Sequence, residues 1–230
     1  MEDSPMQNSN IVIPRRGFLG SIAAGAATIG LAGLSTAERL LADEKDSMAS
    51  KYEAVLKKMK GRKHKQVFDA PMPNDSFPVI WSWAFLHTNN LTGTPDNEVG
   101  CVVVLRHDAI PFGMEDRLWA KYKFGELFHI KDKTTDAPSV RNVVTKIKPE
   151  DMPMLEMAME KVQERGVVFG VCDLALTIYS SNVAKEMKMD AAEVKKEWVS
   201  GLLPGMVMLP SGVWAVNRAQ ENGFTYCFAG

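Results

Sequence analysis

Beyond residue 40 the spacing of apolar positions alternates between helical and strand-like. From 43 to 60 a Lys- and Glu-rich stretch sets Met48, Tyr52, Val55, Leu56 and Met59 three and four residues apart, on one face of an amphipathic helix. Gly61-Arg62-Lys63-His64-Lys65 ends it with cations, where a helix C-terminus favours them. After the turn-rich Pro71-Met72-Pro73-Asn74-Asp75, an apolar, Trp-bearing helix is predicted over 77–91. Residues 99–105 are continuously apolar and mostly β-branched, the mark of a strand buried on both faces. A helix is predicted over 149–165, opened by Pro149-Glu150-Asp151 and closed by Gly166, with Leu155, Ala158, Met159 and Val162 on one stripe. Strands then follow at 167–172, 205–209 and 224–228, with helices at 174–187 and 211–222 between them. Such alternation implies right-handed crossovers, so the expected fold is a small doubly wound α/β domain: an open, mostly parallel sheet with helices on both faces.

The N-terminal residues follow a different pattern. Arg15-Arg16-Gly17-Phe18-Leu19 resembles a twin-arginine export signal, paired arginines with Phe18 behind them. The apolar stretch that follows is diluted by Gly20, Gly25, Gly30 and Gly33, which makes a poor membrane-spanning helix. Ser35-Thr36-Ala37 has the small-x-small form of a cleavage site, and no cysteine stands near it to carry a lipid. The expected organisation is a signal over 1–37, a helical arm over 38–66 and an α/β domain over 67–230. The expected destination is the periplasm or cell envelope, reached through the twin-arginine translocase.

Composition narrows the chemistry. The 230 residues carry 27 basic and 28 acidic side chains, a net charge of −1, so no basic surface argues for nucleic acid. The three cysteines, Cys101, Cys172 and Cys227, contain no CxxC, which excludes a zinc ribbon or a thioredoxin-type pair. His64, His87 and His129 recur with no other ligand at metal spacing, so no metal site is expected. The 14 methionines fall mostly on helix stripes and within strands, as core residues do. Dinucleotide, P-loop, α/β-hydrolase and zinc-peptidase motifs are absent, and no cofactor is identified.

In open α/β sheets ligands collect beyond the carboxyl ends of the strands, where helices begin with unpaired amides. His107 follows one such end, Cys172 ends the next strand with Asp173 behind it, and Ser211-Gly212 follows another. A thiol at a helix start is drawn toward its thiolate, although the Asp173 charge opposes this. His107 is the candidate proton donor or acceptor for that thiol. Asp173, Ser211 and Gly212 are candidate ligand-binding residues. Cys101 and Cys227 lie inside apolar runs and read as core, with a disulfide between them left open.

Three blocks carry a family resemblance: VVVLRHDAIPFGM, ERGVVFGVCDLAL and GMVMLPSGVWAVNRAQENGFTYCFAG. Over residues 67–230 the chain resembles the DsrE/DsrF-like family of sulfur-relay proteins. The resemblance implies a flavodoxin-like fold, assembly as a trimer or hexamer, and a persulfide on the cysteine that ends a strand, here Cys172. It also implies a protein donor or acceptor of sulfur. Two other functions are weighed against a sulfur carrier: a non-catalytic binding module for a small molecule or metal cofactor, and an oligomeric scaffold.

Overall fold

A computed structural model describes residues 36–230, with side chains from 41 onward. Arg15, Arg16 and Phe18 lie outside the described residues, and the expected signal boundary at 37 falls in the first turn of the first helix. In chain order the main elements are α1 (Thr36–Met59), β1 (His64–Ala70), α2 (Phe77–Leu91), β2 (Val99–Leu105), α3 (Asp116–Tyr122), α4 (Phe124–Leu127) and α5 (Met159–Glu164). They continue as β3 (Val168–Cys172), α6 (Asp173–Met187), α7 (Ala191–Ser200), β4 (Val207–Leu209), α8 (Gly212–Glu221) and β5 (Thr225–Phe228).

The five strands form one all-parallel sheet in the order β4-β3-β2-β1-β5. The fold is therefore the expected α/β class, an open flavodoxin-like sheet with helices on both faces. Its connections explain the two faces. From β1 to β4 each crossover steps the same way across the sheet, and right-handed crossovers place all their helices on one side. The last connection returns across the sheet to pair β5 with β1, so α8 lies on the other side.

Alternate residues of the strands feed the two cores. Phe68, Val103, Leu105, Phe169 and Val171 face the first, with Trp119, Phe124, Leu176 and Trp198 from the helices above. Val67, Val102, Val104 and Leu209 face the second, against Ala215 and Ala219 of α8 and Tyr52, Leu56 and Met59 of α1. The helix expected as an arm is thus half the cover of the second face. Its fully buried Tyr52 donates a hydrogen bond to the Ala215 carbonyl, 3.1 Å away, so the phenol enters the core with its polar atom satisfied.

The structure corrects several boundaries. The arm's expected end at 66 falls inside β1, a strand hidden in the sequence because its first half is His64-Lys65-Gln66. The helix expected over 149–165 is confined to α5. Pro153, which lacks an amide hydrogen, sits in the middle of the remainder, and the buried Asp151 accepts a forked hydrogen bond from Arg141 at 2.7 and 3.0 Å. A Cys101–Cys227 disulfide does not form, and both are free thiols. They stand on β2 and β5 with β1 between them. Two strand spacings come to about 9.5 Å, beyond the roughly 7 Å that a disulfide tolerates.

Candidate functional site

Cys172 is the last residue of β3 and also caps α6, so strand and helix meet at its sulfur. Its Sγ accepts a hydrogen bond from the Ala175 amide at 3.3 Å, in the first turn of α6. The Gly212 amide, first in α8, donates a second at 3.2 Å. Register explains the meeting: Cys172 pairs with Leu209 of β4, so the chain leaving β4 starts α8 beside the thiol. Two helix N-termini converge on one sulfur. Ser211 caps α8 by accepting from the Trp214 amide at 3.3 Å, fixing the helix start that presents Gly212.

Beside the thiol lies a cavity of about 160 Å³ whose lining includes Arg106, His107, Cys172, Leu174, Ser211 and Gly212, with Ile178 and Val213. The sequence-predicted Cys172, His107, Ser211 and Gly212 are therefore brought together. Asp173 is not among the lining residues. Its carboxylate, 1 % exposed, is ion-paired with Lys45 of α1 and with Lys195 of α7, the latter at 2.9 Å. Lys45 also reaches the Pro210 carbonyl at 3.5 Å, so α1 ties together the chain ends that carry Cys172 and Ser211. Asp173 is a buried anchor rather than a ligand contact.

Arg106 was not singled out by sequence, although its place directly after a buried strand was the available signal. Its Nε and a terminal nitrogen donate to the two oxygens of the buried Asp69 at 2.6 and 2.9 Å. Tyr226 donates to the same carboxylate at 3.1 Å. The side-chain stem of Arg106 lies where a Cβ on residue 212 would stand, within 2.6 Å of its own Cβ, so only glycine lets α8 start this close.

Burial pushes the Cys172 thiol above its ordinary range. The Ala175 and Gly212 amides pull it back and the Asp173 charge adds to the rise. At neutral pH the thiol is protonated, so a nucleophilic role requires a proton acceptor. Burial lowers His107, which keeps the imidazole neutral and able to accept, despite the opposing pull of Asp108. His107 has φ +52°, a left-handed backbone that side chains other than glycine seldom adopt. Its Nδ1 lies 3.3 Å from the Tyr179 hydroxyl.

Neither family models, curated proteins nor solved structures match this chain. The chemistry of the site therefore rests on its own geometry. Among the described residues no group of three His, Cys, Asp or Glu side chains is placed to hold a metal ion. Nor, among them, is any helix long and apolar enough to cross a membrane.

A second, larger cleft of about 600 Å³ opens beyond β1. It is lined by the consecutive left-handed residues Asn74, Asp75 and Ser76, by Phe128 and Lys131, and by Asp108.

Proposed function

We propose that the protein is an exported, DsrE/DsrF-like sulfur carrier or transferase in which Cys172 holds sulfane sulfur as a persulfide. The observation that carries this reading is the Cys172 Sγ seated on amides from two helix starts, beside a small cavity it shares with His107. In the reaction, His107 takes the Cys172 proton and the sulfur attacks the outer sulfur of a donor persulfide, R–S–SH. The donor S–S bond breaks, the Cys172 S–S bond forms, and the leaving thiolate recovers a proton as R–SH. No external oxidant or reductant is needed, because sulfane sulfur passes at one oxidation level. The amides of Ala175 and Gly212 offset negative charge on the sulfur as it develops. The apolar lining from Leu174, Ile178 and Val213 suits a neutral sulfur atom and slows its loss to water.

The same reading includes twin-arginine export, a sulfur donor or acceptor protein, and assembly as a trimer or hexamer. The edge strand β5, with exposed Tyr226 and Phe228, supports assembly. A binding module remains the second reading, favoured by the larger cleft beyond β1.

Intact mass after incubation with a persulfide donor tests the proposal. The wild-type chain gains one sulfur atom that alkylation of Cys172 blocks, and Cys172→Ser gains none while keeping its fold by circular dichroism. Equal loading of wild type and Cys172→Ser overturns it.

A further inference from the structure

The two cavities are joined by a chain of side chains of which the sulfur reading uses only His107. Tyr179 of α6 donates its hydroxyl hydrogen to Asp108 Oδ1, and the same hydroxyl oxygen lies 3.3 Å from His107 Nδ1. Asp108 lines the larger cleft and His107 the smaller. A phenol has one hydrogen to give, and an ionised carboxylate only accepts. With that hydrogen committed to Asp108, the Tyr179 oxygen is left as an acceptor, so His107 Nδ1 must be the donor. We propose that Asp108 and Tyr179 are positioning residues that hold His107 as its Nδ1–H tautomer, making Nε2 the basic nitrogen of the ring. The proposal rests on the reading of His107 as the proton acceptor for Cys172 and says how the fold prepares it.

Each link is held from outside. The Tyr179 ring packs on Phe128, 5.0 Å between centroids, and its edge meets the His107 ring at 6.3 Å and 68°. The Asp108 amide donates to the Pro71 carbonyl and the Arg106 amide to the Ala70 carbonyl, both at 3.0 Å, so the end of β1 fixes the turn that carries His107. The left-handed backbone at His107 is what lets the ring face α6 while Asp108, one residue on, reaches the same hydroxyl. The arrangement follows the logic of an acid–base–orienter series, in which the second nitrogen's partner sets the tautomer of the first. Among the described residues, the titratable groups facing His107 include Arg106 and Asp108 from its own segment, Tyr179 from α6 and Cys172 from the end of β3.

Nitrogen NMR of the ¹⁵N-histidine-labelled full chain, above the His107 titration, tests this. The signal is assigned among the four histidines by its loss in His107→Gln. Expected for wild type is a protonated-type Nδ1 and an unprotonated-type Nε2. Tyr179→Phe, which keeps the ring and removes only the hydroxyl, shifts the population toward Nε2–H and slows sulfur loading. Asp108→Asn lowers the His107 pKa, because it removes the negative charge that favours the imidazolium. A wild-type Nε2–H tautomer, or a tautomer unchanged by Tyr179→Phe, overturns the proposal. The tautomer is read without sulfur: if it moves as expected while Cys172 never loads, positioning stands and the sulfur reading fails.

Discussion

If α1 is half of the second core, truncating its buried face must cost as much as truncating any core helix. Leu56 is fully buried against the sheet, whereas Leu41 on the same helix is 57 % exposed. Leu56→Ala removes three carbons, roughly 2.4 kcal/mol of transfer free energy at about 0.8 kcal/mol per carbon. The cavity left between α1, β1 and α8 brings the loss to about 3 kcal/mol. For a chain of this size that corresponds to a fall of about 6–12 °C in Tm. Urea unfolding of the full chain is the assay: the midpoint should fall with the slope unchanged, and Leu41→Ala should stay within about 0.5 kcal/mol of wild type. Equal effects from the two substitutions would refute the packing of α1 on the sheet. The result also bears on the site, because the same helix carries Lys45 to Asp173.

Two further outcomes follow from the site. Gly212→Ala puts a methyl group within 2.6 Å of the Arg106 stem, costs about 1–3 kcal/mol and pushes the start of α8 away from Cys172. Loss of the Gly212 amide bond should move the pH profile of Cys172 alkylation upward, and an unmoved profile would contradict the two-helix seat. Stability should also fall on acidification. Burial holds His107 below its ordinary value, so the unfolded chain binds the proton first and stability is lost as pH drops through that ordinary value, near 6.5, toward the folded one. Asp96, held low by its hydrogen bonds from Arg165, adds a second loss below the ordinary carboxylate range. Urea midpoints measured from pH 8 to pH 3 should show both steps, with His107→Gln abolishing the upper one alone.

Much of the fold was legible because its central strands are unmistakable. Strand β2 is apolar from end to end and mostly β-branched since it is buried on both faces, and β3 ends at a cysteine followed at once by helical spacing. What escaped was less regular. β1 is central in the sheet yet begins with three polar residues, because its entrance lies at the rim while only its last four residues are buried. The segment 149–158 opens with helical punctuation, but Pro153 and the Arg141–Asp151 pairing hold most of it as loop.

For the site, local sequence determined which residue types stand at the strand ends: Cys172 before a helix, Ser211-Gly212 opening another, His107 after β2. The side-chain period and the helix caps are encoded within a few residues, and so can be read from them. Tertiary structure alone decided who meets whom. It turned Asp173 away to Lys45 and Lys195, brought the Gly212 amide to Cys172 from 40 residues along the chain, and set Tyr179 between Asp108 and His107. Those contacts depend on strand order and on which face each crossover takes, and both are settled only when the sheet closes its two cores.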